Sequence, residues 1–241
     1  MAALLEVDGI SKSFSGLRAV QEVSFTVPEG EIVGLIGPNG AGKTTCFNLI
    51  TGVYRPDAGQ VRLAGQRIDG WRPDEICQAG LARTFQLVKP FAGLSVMENV
   101  VVGALNACST VAEAREKSKI VIEKIGLWSK RDQAAAALTL PERKLLEVAR
   151  ALATGPRILL LDEVMAGLRP TEMNTMVALF QELNASTGLT ILLIEHVMRA
   201  VMTLSRKVVV LHHGQVISSG TPDEVTRDPA VLECYLGEEA L

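Results

Sequence analysis

Histidine and cysteine are scarce in this chain of 241 residues. The three histidines and four cysteines are His196, His212, His213, Cys46, Cys77, Cys108 and Cys234. Their spacing fits neither a zinc site nor a redox motif. We therefore expect reduced thiols that are buried or half-buried, and no structural metal centre built from these residues.

The chain also lacks long apolar runs and a strong excess of either charge. No stretch of about 18 apolar residues is present, so the sequence predicts no membrane span. The opening residues, MAALLEVDGI, have no basic segment and too short an apolar run for a signal peptide, which favours a cytosolic chain. A net charge of −3 gives no electrostatic reason to expect nucleic-acid binding.

Apolar residues are plentiful, at 48%, and their pattern changes along the chain. Strand-like runs with turn signals fill the first 30 residues, and a buried strand, a glycine-rich loop and a helix follow. Residues from about 88 to 150 show helical spacing with no strong strand. Continuous apolar strands then alternate with helices, which is typical of a parallel sheet buried on both faces. A hairpin, VVVLHHGQVISSG, and a helical tail end the chain.

The glycine-rich loop matches the phosphate-binding pattern G-x-x-x-x-G-K-[ST] and stands between a strand and a helix, as that pattern requires. Its residues are Gly37, Pro38, Asn39, Gly40, Ala41, Gly42, Lys43 and Thr44, with Thr45 next. Glycines let backbone N–H groups turn inward around a phosphate, and the helix adds its positive end. Lys43 then reaches the terminal phosphates, and the Thr44 hydroxyl is available to Mg²⁺. This motif predicts ATP and Mg²⁺ as ligands.

Four further residues indicate a function only in combination with this loop. Asp162 and Glu163 end the apolar strand ILLLDE, where Asp162 would hold Mg²⁺ and Glu163 would orient or deprotonate the attacking water. His196 follows the strand TILLIE and is placed to contact the γ-phosphate, although an exposed helix start is the more common setting for such a histidine. Phe14 is available for stacking on a base, although most aromatics serve packing.

In this order along the chain, these residues resemble the ATP-binding subunits of ABC transporters. The resemblance runs from Phe14 through the loop at 37–45, Gln86, the helical region and Asp162-Glu163 to His196. It implies that Phe14 stacks on adenine and that Gln86, in ARTFQ, senses Mg²⁺ and couples to the membrane subunit. It also implies that His196 contacts the γ-phosphate. Catalysis would thus fall to Glu163, His196 and Gln86, and the metal would be held by Thr44, Gln86 and Asp162.

The implied fold is α/β: a P-loop NTPase (RecA-like) core with an N-terminal antiparallel β subdomain and an inserted α-helical subdomain. We expect one ABC ATPase domain over 1–241. Residues 1–87 and 151–220 would form the nucleotide-binding core, 88–150 the helical subdomain, and 221–241 a C-terminal helical tail.

A narrower resemblance points to importers of branched-chain and other hydrophobic amino acids. The segments ARTFQ, LIEH, AGL-x-P at 166–170 and the tail DPAVLECYLGE carry it. It implies transmembrane permease subunits, a second ATPase subunit and an extracytoplasmic solute-binding protein as partners. The chain would lie peripherally on the cytoplasmic face of the inner membrane. Alternatives are the ATPase of a lipid or lipopolysaccharide exporter, a soluble non-transport ABC ATPase, and a binding module without catalysis.

One departure bears on mechanism. The family signature, usually LSGGQ, aligns with Leu138–Glu142, where no glycine is present. In the family, two subunits pack head to tail, and each signature faces the ATP held by the partner. Thr139 keeps a hydroxyl, but Pro141 has no N–H, Leu140 adds a side chain, and Glu142 adds a negative charge. We expect weakened ATP-driven closure, and we favour a heterodimer with a paralogous ATPase over a homodimer. Val164 and Arg169-Pro170 also depart from the family pattern.

Overall fold

A computed structural model describes residues 2–86 and 89–236. Ten strands lie within these residues, and they are β1 (Ala3–Phe14), β2 (Leu17–Pro28), β3 (Ile32–Ile36), β4 (Ala58–Leu63), β5 (Gln66–Arg67), β6 (Leu81–Arg83), β7 (Ile158–Asp162), β8 (Thr190–Ile194), β9 (Lys207–His212) and β10 (Gln215–Gly220). Nine α-helices lie in the same part of the chain, and they are α1 (Lys43–Ile50), α2 (Pro73–Gln78), α3 (Val96–Ala104), α4 (Val111–Lys124), α5 (Leu140–Ala153), α6 (Pro170–Thr187), α7 (Met198–Leu204), α8 (Pro222–Arg227) and α9 (Pro229–Leu236).

The strands form two sheets. One is antiparallel, in the order β2-β1-β4-β5, and the other has the order β10-β9-β3-β8-β7-β6. In the larger sheet β9, β3, β8, β7 and β6 run parallel, and only β10 pairs antiparallel, as the predicted hairpin partner of β9. The expected α/β fold with an N-terminal antiparallel sheet is confirmed.

The parallel sheet is buried on both faces because its strands carry apolar residues at successive positions. In β7, Ile158 and Leu160 face a core shared with α1 and the antiparallel sheet. Leu159 and Leu161 face the opposite core, which is shared with α5, α6 and α7. This period-2 alternation fixes the orientation of β7 between the two cores, and Asp162 stands at the carboxyl end of the strand.

The helices α3, α4 and α5 build a third apolar cluster around Val100, Ile122 and Leu146. This supports the proposed helical subdomain, although α5 runs to Ala153 and its Val148 also packs in the core beside the sheet. The boundary at residue 150 stays a prediction. In the part of the chain that the structure describes, no helix is both long and apolar enough to cross a bilayer.

Candidate functional site

The glycine-rich loop joins β3 to α1, and its glycines are required by its backbone. Gly37, Gly40 and Gly42 all have positive φ, at 148°, 78° and 102°. A Cβ atom at Gly37 would lie 2.1 Å from the carbonyl oxygen of Leu211, so no other residue fits there. The N-terminus of α1 begins after Gly42 with no side-chain cap and no acidic residue in its first turn. Its N–H groups and positive dipole therefore face the loop interior.

Lys43 is buried within the loop. Its Nζ donates hydrogen bonds to the carbonyl oxygens of Gly37 (2.5 Å) and Pro38 (2.8 Å). The ammonium group is thus held at the centre of the loop, where a phosphate would place its negative oxygens.

A cleft of about 710 Å³ opens beside this loop and brings most of the predicted residues together. Its lining includes the following predicted residues: Phe14, Asn39, Gly40, Ala41, Gly42, Lys43, Thr44, Thr45, Gln86, Glu163 and His196. The volume lies in the usual range for a small-molecule site. Arg18 and His213 also line it, and sequence reasoning did not single them out. Arg18 is an exposed residue near the start of β2, and His213 lies in the exposed turn between β9 and β10; neither belongs to a sequence motif.

Four predicted residues do not line this cleft. Gly37 and Pro38 instead hold Lys43 through their carbonyl oxygens. Asp162 lines an adjoining cavity of about 460 Å³ together with Thr44, so these two side chains do share one space. Thr139 stands at the start of α5 and lines neither cavity. Its role toward the ATP of a partner subunit stays a prediction.

Glu163 has the most constrained geometry in the site. Its φ of +51° is unusual for a residue with a side chain and costs about 1–2 kcal/mol. Its N–H donates to the Ile194 carbonyl (2.9 Å), and its carbonyl accepts from Lys144 Nζ (3.1 Å). Oε2 accepts from Gln86 Nε2 (2.7 Å), and Oε1 lies 2.6 Å from Nε2 of His196. Three predicted residues from separate loops therefore meet at one carboxylate.

Asp162 is almost fully buried, with 1% of its side chain exposed. Oδ2 accepts from Arg83 Nη2 (3.1 Å), whereas Oδ1 is buried and has no hydrogen-bond partner among the described residues. Burial raises the pKa of this carboxyl above its usual range, and the neighbouring Arg83 opposes that rise. A buried acceptor without a partner is costly, which points to a ligand for Oδ1.

Behind Glu163 lie two buried titratable residues that sequence reasoning missed, Glu195 and Lys144. Glu195 is 2% exposed, and its Oε1 accepts from the Met165 N–H (2.8 Å). Burial raises the pKa of Glu195 to about 7 and lowers that of Lys144, and the two groups attract each other. Glu195 stands in the quoted LIEH segment beside His196, so a polar residue at the end of a buried strand was the available signal.

The start of α5 differs from the start of α1. The Glu142 carboxylate accepts from the Thr139 N–H (2.9 Å) and pairs with Lys130 Nζ. Despite partial burial, these hydrogen bonds lower the pKa of Glu142. Pro141 occupies the first turn as predicted, and Leu140 is exposed. The expected negative charge of Glu142 is thus present but balanced by Lys130.

No group of three or more His, Cys, Asp or Glu side chains able to hold a metal ion occurs within residues 2–86 and 89–236. The candidate ligands here are instead a hydroxyl, an amide and one carboxylate, from Thr44, Gln86 and Asp162. That set suits a nucleotide-bound Mg²⁺, which keeps waters and phosphate oxygens as its other ligands.

Comparison with known proteins places this site in context. The ABC transporter family profile matches residues 20–166, and a profile of the branched-chain amino acid ATP-binding cassette transporter matches residues 215–240. The high-affinity branched-chain amino acid transport ATP-binding protein BraF of Pseudomonas aeruginosa is 38% identical, and the match covers 98% of each chain. The lipopolysaccharide export system ATP-binding protein LptB of Acidithiobacillus ferridurans is 34% identical over 99% of each.

A crystal structure of an ATP-binding cassette of an ABC transporter in its ADP conformation superposes with a TM-score of 0.89 at 31% identity. The match covers 98% of this chain and 100% of that one. The arrangement of two sheets, glycine-rich loop and helical cluster is therefore shared with a nucleotide-binding protein.

Proposed function

The chain belongs to the ABC transporter family of ATP-binding subunits, and we propose that its ATP hydrolysis energises the import of branched-chain or related hydrophobic amino acids. As a member of this family it is the ATP-binding and hydrolysing component of a transporter. Similarity to the importer ATPase over nearly the whole chain, together with the C-terminal match at 215–240, supports the proposed substrate class.

We assign nucleotide binding to the glycine-rich loop and Phe14. The loop N–H groups and the start of α1 receive the phosphates, and Lys43 exchanges its bonds to the Gly37 and Pro38 carbonyls for bonds to the terminal phosphate oxygens. Phe14 lines the same cleft with its ring partly exposed, in a T-shaped contact with Tyr54 at 5.1 Å between centroids, and Lys12 Nζ lies over one ring face at 5.7 Å. This leaves a ring face available for the adenine.

We assign the Mg²⁺ of Mg·ATP to Thr44, Asp162 and Gln86. The unpartnered Oδ1 of Asp162 and the cavity that Asp162 shares with Thr44 support this assignment. When bound, the ion would neutralise charge on the phosphates. Arg83 occupies the other carboxylate oxygen, so Asp162 offers one oxygen in a fixed orientation.

Glu163 is our candidate for the residue that orients and deprotonates the attacking water. The single observation that carries this role is its position between Gln86 and His196, with its backbone held at both ends. We expect an incoming γ-phosphate to engage His196 and Gln86 and so to free the Glu163 oxygens for water.

We propose that the helical region docks a short cytoplasmic helix of a permease, which would hold the chain peripherally at the inner face of the membrane. A groove of about 260 Å³ lies between the helical region and the core, near Gln86. Its walls include the apolar Val53, Ile76, Phe85 and Val102. Apolar walls of this kind suit an amphipathic helix. Cross-links from Val53 to the permease would support this, whereas cross-links only from the 205–220 hairpin would contradict it.

We further propose a heterodimer with a paralogous ATPase. The start of α5 is closed by Glu142 and Lys130 and includes Pro141, so it offers a partner's ATP fewer donors than the usual glycines would. A paralogue with an ordinary signature would complete the site at Lys43 and Glu163. An extracytoplasmic solute-binding protein would complete the importer.

Lipopolysaccharide export is the second candidate, because the LptB protein is 34% identical over nearly the full length. A soluble non-transport role has no comparable support, since the relatives compared above are transport ATPases. Nucleic acid is not among the proposed partners.

Uptake of labelled leucine in the native host would separate import from export. We expect deletion of the gene to abolish high-affinity leucine uptake, and restoration by the wild-type gene but not by one encoding Lys43→Ala. Normal uptake with a defect in surface lipopolysaccharide would favour export and contradict the proposal.

A further inference from the structure

Arg83, at the end of β6, connects two parts of the nucleotide site. Its Nη2 donates to Asp162 Oδ2 (3.1 Å), and its Nη1 donates to Asn48 Oδ1 (2.7 Å) and Thr51 Oγ1 (3.1 Å). Asn48 lies on α1, and Thr51 caps the C-terminal end of that helix. One guanidinium group, with 10% of its side chain exposed, therefore joins the phosphate-binding helix to the carboxylate at the end of β7.

This contact determines how Asp162 is presented. The Asp162 N–H donates to Thr84 Oγ1 (3.1 Å), so the residue is fixed at its backbone as well as at Oδ2. Only Oδ1 is left without a partner among the described residues. A guanidinium is planar and presents five N–H groups in fixed directions. Arg83 donates to four acceptors at once, the fourth being the Thr84 carbonyl at 3.3 Å from Nε, whereas a lysine has only three N–H donors.

Arg83 also contacts the apolar groove, through Phe85. The guanidinium carbon lies 4.8 Å from the centroid of the Phe85 ring, within range of a cation–π interaction. The Phe85 side chain is 56% exposed and forms part of the groove wall. Its backbone N–H donates to Glu147 Oε1 (2.6 Å) on α5, which anchors the backbone of Phe85 at the groove edge.

We propose that Arg83 is a positioning residue that orients Asp162 for the magnesium-bound nucleotide and links it, through Phe85, to the groove where the permease docks. The inference rests on the proposed roles of Asp162 and of the groove. A helix seated in the groove contacts Phe85, Phe85 contacts the guanidinium, and the guanidinium sets the position of Asp162. The path from the surface to the metal ligand thus needs only two side-chain contacts.

The test is calorimetric binding of ADP to the full chain, with saturating Mg²⁺ and with EDTA. We expect Arg83→Gln to weaken binding about tenfold or more in Mg²⁺ and to leave binding in EDTA within about twofold, because a charge-assisted contact to the metal ligand is lost. Arg83→Lys should recover part of the loss. Arg67→Gln, which removes a surface arginine paired with Asp69, is the control and should bind as the wild type does.

Three results would overturn the proposal that Arg83 positions Asp162. They are unchanged binding in Arg83→Gln, an equal loss with and without Mg²⁺, and a failure of Arg83→Lys to bind better than Arg83→Gln. Asp162→Asn distinguishes a failure of the proposed metal role of Asp162 from a failure of the positioning role of Arg83. If it leaves the Mg²⁺ dependence unchanged, the proposed role of Asp162 fails and this inference fails with it. If it removes the dependence while Arg83→Gln does not, only the inference fails.

The link to the groove has its own matched pair of variants. Phe85→Ala removes the ring from Arg83, and Phe91→Ala removes a ring that lies at the same 4.8 Å from Arg150 but does not contact Arg83. We expect Phe85→Ala to weaken Mg²⁺-dependent ADP binding by about two- to fivefold and Phe91→Ala to have no effect. Equal behaviour of the two variants would overturn the link.

Discussion

The N-termini of α1 and α5 offer a comparison within one chain. We assign both helix starts to phosphate, the first to the ATP of this chain and the second to that of a partner, and both have a positive dipole end. At α1, Gly42 provides no side-chain cap and no acid stands in the first turn, so the N–H groups are open to an anion. At α5, Glu142 accepts the Thr139 N–H and pairs with Lys130. The N-cap residue of α5, Thr139, makes no side-chain cap either, so the two helix starts differ in the first turn, where α5 has a carboxylate and α1 has none.

The comparison teaches that a helix start favours an anion when no carboxylate stands in its first turn. An N-terminal carboxylate of the capping-box type stabilises the helix, but it occupies the position that a ligand would need. We therefore expect perturbations at α1 to have large effects on ATP binding and perturbations at α5 to have smaller ones.

Removing the positive charge of Lys43, at the start of α1, should have the largest effect on ATP affinity. We expect Lys43→Ala to lower ATP affinity by at least about 100-fold, because a buried charge-assisted contact to phosphate is lost. Titration calorimetry of the folded variant measures this. Arg67→Gln, which removes one positive charge from the surface, is the control. A Lys43→Ala protein that binds ATP as the wild type does would refute the assignment of the loop.

The next effect concerns hydrolysis rather than binding. We expect Glu163→Gln to keep ATP affinity and to slow turnover by about two or more orders of magnitude, because the amide preserves size but cannot accept a proton. The assay is steady-state ATPase activity in the assembled transporter. Wild-type turnover in this variant would remove Glu163 from the mechanism.

The buried Glu195 behind the site should make stability depend on pH. Its pKa is about 7 in the folded chain and 4.5 in the reference state, so the folded state binds the proton more tightly. The contribution of Glu195 to the free energy of unfolding therefore falls as pH rises from about 4.5 to about 7. The fall is on the order of 3 kcal/mol, from the free-energy equivalent of the pKa difference.

Glu195→Gln provides the test of that sign. The amide does not titrate, so the variant should gain stability relative to the wild type as pH rises from 5 to 8. Urea unfolding at several pH values measures the difference. A difference that is constant over this range would show that Glu195 does not titrate as described.

The smallest expected effect concerns the contact between Phe14 and the adenine of ATP. Phe14→Ala should weaken ATP binding by about 1 kcal/mol, which corresponds to roughly fivefold, if the ring stacks on adenine. Binding of inorganic triphosphate, which has no base, should be unchanged. An equal loss for ATP and triphosphate would mean that Phe14 supports the loop and does not contact the base.

The sequence was sufficient for the features that depend on local pattern. The buried strands at 158–162 and 190–194 follow from their uninterrupted apolar residues, and the glycine-rich loop follows from its spacing. The expected helix over TEMNTMVALFQELNAST is α6. By contrast, the three-residue β6 and the short α2 are too brief for a periodic signal, and sheet pairing with β7 decides β6.

The candidate site also contains some residues that local sequence pattern predicts and others that it does not. Gln86, Glu163 and His196 were predicted from separate segments, and they do meet in the structure. Arg83 and Glu195 stood within the quoted segments ARTFQ and LIEH, yet their partners come from other strands and helices. Long-range contacts of this kind have no local pattern. The pairing of Glu142 with Lys130 was missed for the same reason, since Lys130 precedes α5 by a separate turn.

The contrast between α1 and α5 is tested most directly by ATP-dependent dimerisation of the chain on its own. Both proteins carry Glu163→Gln, which we expect to bind ATP and to turn it over slowly. One keeps Leu140, Pro141 and Glu142, and the other is a triple variant with Leu140→Gly, Pro141→Gly and Glu142→Gln. Sedimentation velocity with and without ATP reports the association. We predict that the unmodified start of α5 leaves the chain monomeric at micromolar concentration with ATP and that the triple variant dimerises. Equal, ATP-dependent dimerisation of both proteins would contradict the account.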